Sequence, residues 1–360
     1  MLVNCFVAPR RVIQAGLEIN KNIIRQAFAL LFCVFLLVGI NRAALAQSAG
    51  EAVHVGKKYT ITSEVFNDKR DLYIALPNGY FASGKDYPVV YLLDGEGLFN
   101  IAQGIMSTLA EAHNMDEVIL VGVAHKNRWQ ELSGKDRETL AEFLKAEVFP
   151  YIDQRYRTLS HRTMIGHSLG GSFLWASLAN SWLKPDVMIT ISAVIRKEGP
   201  ALYPKIAKAL QHAEIAPKYI YISMGSEGGQ FASTHVKLKS LLEGQTSIRW
   251  DTDEFPRDAH GAVPTPSMHY AMQEYYADWV MPKIKNLGRL SSSKALQDIG
   301  GYQAIKAYYN SYSERLGYKV GVPDIGWTAL PGRWSMKENL HNLLNLYVKR
   351  RRDMAMSFNI

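Results

Sequence analysis

The sequence predicts an α/β fold: a mostly parallel central sheet with helices on both faces, an antiparallel N-terminal edge and a small C-terminal helical appendage. Three observations carry this. Near-continuous apolar runs, Pro88 to Leu93 and Val118 to Val123 among them, suit parallel strands covered on both faces. Such runs alternate with helix-like segments for nearly the whole stretch from Tyr87 to Val280. After Pro282 the chain turns polar, then yields only two helical patterns separated by Gly and Pro.

Taken in order, Tyr59 and Ile61, then Leu72, Ile74 and Leu76, alternate around Asn67-Asp68 and predict two antiparallel edge strands. Pro88 to Leu93 is a central strand. It ends in Asp94-Gly95-Glu96-Gly97, at the carboxyl end where open α/β sheets bind ligands. A helix over Ile101–Ala112, a strand over Val118–Val123, a polar loop over His125–Gly134 and a helix over Asp136–Tyr151, interrupted near Pro150, follow. Arg162 to Ile165 reads as a short buried strand and Ser172 to Ala179 as a helix. Further strands are expected at Val187–Ile191, Lys218–Ser223 and Ser247–Trp250, with helices near Tyr203–Gln211 and Thr234–Leu242. Pro266-Ser267 starts a helix running to Val280, with Ser267 as its N-cap. The appendage is expected to hold helices over Gly300–Arg315 and Met336–Arg352.

The chain divides into residues 1–46, a signal peptide; 47–282, the α/β domain; and 283–360, a linker and short helical appendage. Lys21 and Arg25 precede an apolar run from Ala27 to Ile40, and Ala44-Leu45-Ala46 offers a small-x-small cleavage site. The run is shorter than the roughly 20 residues of a membrane span. Export to the periplasm or the medium is therefore expected, with no stable membrane insertion after cleavage. Both cysteines, Cys5 and Cys33, lie in the removed segment, so the mature chain would hold no disulfide or thiolate. The same segment carries half of the formal charge of +8. What remains includes one basic cluster, Lys349 to Arg352, and no broad basic face, which argues against nucleic-acid binding.

The chemistry centres on Gly166-His167-Ser168-Leu169-Gly170. A G-x-S-x-G pentapeptide between a strand and a helix is a nucleophile elbow, which holds its serine on a strained turn above the sheet. Serine then needs a base, a group that orients the base, and donors for an oxyanion. Among the ten histidines, His260 follows the last strand, in the loop where this arrangement supplies its base; His269 is the runner-up. Glu227, among the glycines of Gly225-Ser226-Glu227-Gly228-Gly229, is the first choice for the acid. Asp251, Asp253, Glu254 and Asp258 compete with it. The oxyanion donors would be the N–H of Leu169 and that of Gly95 or Glu96. No H-E-x-x-H and no Gly-Lys-Ser/Thr phosphate loop occurs, so no metal or nucleotide cofactor is expected.

Three stretches, YPVVYLLDG (Tyr87–Gly95), FPYIDQRYRT (Phe149–Thr158) and RTMIGHSLGG (Arg162–Gly171), together resemble the "putative esterase" family of α/β-hydrolases. That family includes esterase D-like enzymes and ferric enterobactin esterases. His260 to Ser267 resembles its histidine loop and Gly225-Ser226-Glu227 its penultimate strand-end loop. The resemblance, over about Tyr59 to Trp279, implies a serine hydrolase acting on carboxylic esters, with Ser168 as nucleophile and His260 as base. The chain departs from the family at Ile191-Ser192-Ala193-Val194-Ile195-Arg196, where relatives carry a Ser-Pro-Ser-Leu-Trp-like stretch, and at Glu96-Gly97. The expected partner is a small-molecule ester, with the C-terminal helices available to a protein partner. Catecholate lactone hydrolysis, acyl transfer and non-catalytic binding are the alternatives.

Overall fold

The computed structural model describes residues 25–34, 54–196, 199–282 and 297–321. Two compact units result, residues 1–54 and 55–360. In the first, residues 25–34 are helical, with Phe28, Leu31 and Phe32 exposed. No helix among the described residues is long and apolar enough to cross a membrane. The expected helix over Met336–Arg352 and the cleavage site lie outside the described residues.

The second unit is built on one eight-stranded sheet of order β1-β2-β4-β3-β5-β6-β7-β8. β1 (Lys57–Ser63) and β2 (Asp68–Ala75) form the antiparallel edge, and β2 also runs antiparallel to β4 (Ile119–Val123). β3 (Tyr87–Leu93), β5 (Thr158–His167), β6 (Val187–Ile191), β7 (Tyr219–Met224) and β8 (Arg249–Glu254) are parallel. Every residue of β3, β4, β6 and β7 is buried, as their unbroken apolar runs require. Register decides where the chain's loops meet. Leu93 pairs with Val123, His167 with Ile191 and Met224 with Glu254, so the strands end along one carboxyl edge. Asp94, Ser168, Ser192 and the Gly225 loop all leave the sheet there.

Helices cover both faces. On one lie α1 (Gly95–Glu111), α8 (Pro264–Tyr275) and α9 (Gly301–Leu316), packed through Phe99, Met106, Met272, Tyr309 and Leu316. On the other lie α3 (Arg137–Phe143), α4 (Phe149–Arg155), α5 (Leu169–Asn180), α6 (Gly199–Leu210) and α7 (Gln230–Glu243). Phe143, Phe173, Trp175, Ile206 and Leu242 form that second core. A short α2 (Arg128–Leu132) follows β4. The first appendage helix, α9, joins the core rather than standing apart. Tyr309 and Tyr312 donate their hydroxyls to the carbonyls of Trp279 and Ala277 at 3.2 and 3.1 Å. Burying phenol groups this way satisfies their hydroxyls while the rings fill the face.

Several boundaries differ from the pattern reading, each for a packing reason. α1 starts directly after Asp94, not at Ile101, because Gly95 lies flat against β4. A Cβ on Gly95 would come within 2.5 Å of the Gly122 carbonyl carbon. α2 sits within the stretch expected to be a polar loop. The interruption expected near Pro150 is instead a π-helical turn, Leu144–Val148, in which the Phe149 N–H reaches the Leu144 carbonyl, and Pro150 follows directly in α4. α8 ends at Tyr275, and its N-cap is Val263, followed by Pro264, not Ser267. Ser267 is fully buried and its hydroxyl accepts from Ser223 at 2.8 Å, tying α8 to β7. β8 runs on to Glu254, since strand pairing with β7 holds residues whose alternating polarity gave no buried run.

Helix and sheet also approach closely at the β5–α5 turn. A Cβ on Gly166 would lie 2.4 Å from both the carbonyl carbon and oxygen of Gly170. Gly166→Ala must therefore push α5 off the sheet. It should lower unfolding free energy by at least about 1–3 kcal/mol in urea titrations, the usual cost of overpacking. A wild-type midpoint would contradict this contact.

Candidate active site

Ser168 occupies the turn between β5 and α5 at φ 58° and ψ −116°, a conformation that a residue with a Cβ adopts only under constraint. The constraint is visible. Its N–H donates to the Ile191 carbonyl at 2.8 Å, and its carbonyl accepts from the Ser172 N–H at 3.0 Å as α5 begins. Ser172 in turn donates its hydroxyl to the Val194 carbonyl at 2.6 Å and accepts from the Val194 N–H at 3.0 Å. The loop after β6 is thus bolted to the first turn of α5. Ser168 is largely buried, 8% exposed, at the carboxyl edge of the sheet.

Two further loops converge there. His260 Nδ1 and Glu227 Oε1 are 2.6 Å apart. The loops carrying them are joined by a bond from the Ser226 N–H to the Asp258 carbonyl at 2.8 Å. Burial by itself would raise the Glu227 pKa, but hydrogen bonding from the Ser192 hydroxyl and His260 outweighs it and holds the carboxyl below its ordinary value. Asp251, Asp253 and Glu254 lie within β8, and Asp253 accepts the Tyr221 hydroxyl at 2.7 Å. Asp258 contributes its backbone carbonyl. Glu227 is the carboxylate that meets His260, whereas His269 sits on α8 against the Tyr270 ring.

His167, the residue before Ser168, brings the Ser168 turn and the His260 loop together: its ring centroid is 4.5 Å from that of His260. No hydrogen bond joins Ser168 Oγ to His260 among the described residues. Such bonds are often long or misaligned without substrate and tighten in the reacting complex. Leu169 is the first residue of α5, and Gly95 and Glu96 open α1. The first N–H groups of a helix have no intrahelical acceptor, so these are natural anion donors. A serine on a strained turn, a carboxylate-held imidazole and two helix starts can together support acyl transfer.

The family described as "Esterase: Putative esterase" matches residues 63–261, more than half of the chain and ending just past His260. The chain belongs to this esterase family. It is similar to the uncharacterized protein YbbA of Bacillus subtilis, 24% identical over 174 residues, 43% of this chain and 67% of that protein. Its fold is similar to that of an IroE-like serine hydrolase from Shewanella oneidensis, with TM-score 0.62 and 20% identity over 75% of this chain and 90% of that one. It is also similar to the siderophore hydrolase EstB from Aspergillus nidulans, with TM-score 0.54 and 17% identity over 65% and 98% of the two chains.

Sequence pattern alone gave no sign of the pairings that support the site of this esterase. Asp94, at φ 58°, grips Arg128 through two bonds of 2.6 and 2.9 Å, and Arg128 Nη2 reaches the His167 carbonyl at 3.4 Å. A buried Glu131 holds the neighbouring loop. It accepts from Arg70 at 2.7 Å and from the N–H of Asn127 at 3.0 Å, and lies 2.9 Å from His125 Nδ1. Its sequence context, a charged residue in a polar loop, carries no sign of this. Trp129 stands at the rim, 53% exposed, with the Arg196 guanidinium 5.7 Å from its ring centroid. Among the described residues no group of His, Cys, Asp and Glu could hold a metal ion.

Burial would raise the Glu131 pKa, but His125, Arg70 and the Asn127 N–H pull it from 4.5 down to about 2. A depressed carboxylate stabilises the fold fully above its unfolded pKa and loses that contribution as pH falls through the folded one. The shift corresponds to about 3 kcal/mol between neutral pH and pH 2. Glu131→Gln should cost about 3–5 kcal/mol at pH 7, as breaking a buried pair does. It should also flatten the acid limb of stability against pH, read from urea melts between pH 2 and 7. An acid limb identical to wild type would remove Glu131 from this account.

Proposed function

We propose that this esterase is an exported serine hydrolase that cleaves small to medium carboxylic esters. The His260–Glu227 bond, on the same sheet edge as the strained Ser168, is the observation that carries the reading. Ser168 Oγ attacks the ester carbonyl while His260 Nε2 takes its proton. Glu227, bonded at Nδ1, fixes the tautomer and offsets the imidazolium charge. The N–H of Leu169, with that of Gly95 or Glu96, receives the oxyanion. In comparable hydrolases, removing one such donor costs about 3–4 kcal/mol of transition-state stabilisation. His260 then protonates the departing alcohol, and water activated by the same imidazole frees the acyl group.

Export rests on the charged, apolar and small-residue order of residues 21–46. A narrower reading, hydrolysis of a siderophore ester, is favoured by the structural similarity to the siderophore hydrolase EstB. The departures from the family pattern at Ile191 to Arg196, at the end of β6, and at Glu96-Gly97, at the start of α1, bear on specificity.

The test is a panel of short and medium acyl esters, with a catecholate lactone included, alongside labelling by a fluorophosphonate. Ser168→Ala should abolish turnover and labelling together. Glu227→Gln should lower kcat by about 10²–10⁴-fold, since the amide leaves the histidine without its orienting charge. A preference for alcohol over water as acceptor would turn the reading to acyl transfer. Neither turnover nor labelling from folded wild-type protein would overturn it in favour of a binding role.

A further inference from the structure

The hydrogen bond from Glu227 fixes the His260 ring at one atom only. An imidazole held at Nδ1 can still swing about that bond, and its Nε2 then misses the serine. Two ring contacts remove this freedom. The centroid of His167 lies 4.5 Å from that of His260 at an interplanar angle of 40°, and that of Phe231 lies 4.7 Å away at 55°. His167 is itself immobilised. It ends β5, pairs with Ile191 of β6, and its carbonyl accepts from Arg128, which Asp94 grips. Phe231 stands in the first turn of α7, and Thr234, one turn on, accepts from the Ile195 N–H at 3.1 Å through its hydroxyl.

We propose that His167 is a positioning residue whose ring face, with that of Phe231, clamps the His260 imidazole in the plane from which it reaches Ser168. The inference rests on His260 acting as the general base.

The chemistry of His167 suits a clamp and not a second base. Burial, then the charge of His260, push its pKa down to about 4, against the opposing influence of Asp94. The charged and titratable groups facing the pair are Glu227 on the loop after β7, Asp94 at the end of β3 and Arg128 on α2. At neutral pH the ring against His260 is therefore uncharged, and it does not repel the imidazolium that forms during turnover. Its Nε2 is buried with no hydrogen-bond partner. Beside a hydrogen bond to the His260 backbone, what the ring offers His260 is its face.

The test compares His167→Leu, which removes the face, with His167→Phe, which keeps it, and Phe231→Leu, which removes the other contact. Esterase kinetics, fluorophosphonate labelling and ¹⁵N-imidazole NMR of full-length protein are the readouts. His167→Leu should lower kcat about 10- to 50-fold with KM within about 2-fold, the scale on which small misplacements of a reacting group act. His167→Phe should recover kcat to within about 3-fold of wild type. The His260 signals should report one ring orientation in wild type and exchange between orientations in both leucine variants. If His167→Leu does not fold, Phe231→Leu carries the same expectations from a half-buried helix position. Equal losses in His167→Phe and His167→Leu, or unchanged His260 signals in both leucine variants, would overturn the clamp. Wild type that neither turns over nor labels would instead retire the serine-hydrolase reading, and the positioning role with it, whereas active wild type with unchanged leucine variants would overturn the clamp alone.

Discussion

The site depends on one close approach, that of α5 to the end of β5. The backbone of Gly170 comes so near Gly166 that neither a Cβ nor a wider turn fits. A chain that must reverse from strand to helix in that space leaves Ser168 at positive φ, and the Ile191 carbonyl locks it there. Strain of this kind, roughly 1–3 kcal/mol, survives only where the surroundings over-determine it. Here they are two buried cores, one on each face of the sheet. A rigid elbow is useful because it keeps the serine hydroxyl out of the sheet and brings the first N–H of α5 beside it.

A second constraint is register. Parallel strands β3 to β8 leave the sheet along one edge, so loops separated by many residues become neighbours without any long excursion. The Gly225 loop and the His260 loop then need only one backbone bond, Ser226 to Asp258, to bring carboxylate and imidazole together. Several polar groups at this edge are held by partners: Asp94 by Arg128, Glu131 by Arg70 and His125, Ser172 by Val194. Buried charges are tolerated when each is bonded, and bonded networks of this kind fix loop geometry more firmly than apolar contact does.

The opposite face serves a different end. α8 and α9 meet through a tyrosine-rich layer in which Tyr275, Tyr309 and Tyr312 hydroxyls bond to backbone carbonyls or to His161. This layer completes the cover over the sheet, and burial drives the Tyr275 and Tyr312 pKa values well upward, so both phenols stay neutral donors. The helix that begins the appendage is thereby part of the fold's core.

Local pattern determined the parts that depend on local physics. Buried strands announce themselves as apolar runs, the elbow as Gly-x-Ser-x-Gly, and His260 and Glu227 as the polar residues of loops that follow strands. Only tertiary structure decided that Glu227, rather than Asp253 or Asp258, meets His260, because strand pairing commits Asp253 to Tyr221 and loop pairing leaves Asp258 its backbone role. It also decided the start of α1 at Gly95, the buried service of Ser267, and the gathering of Arg70, His125 and the Asn127 N–H around the Glu131 carboxylate. These last features join residues far apart in sequence. Periodicity reports which face a residue turns to, whereas a partner across the fold is chosen by register and by the close approach of backbones, which no local pattern encodes.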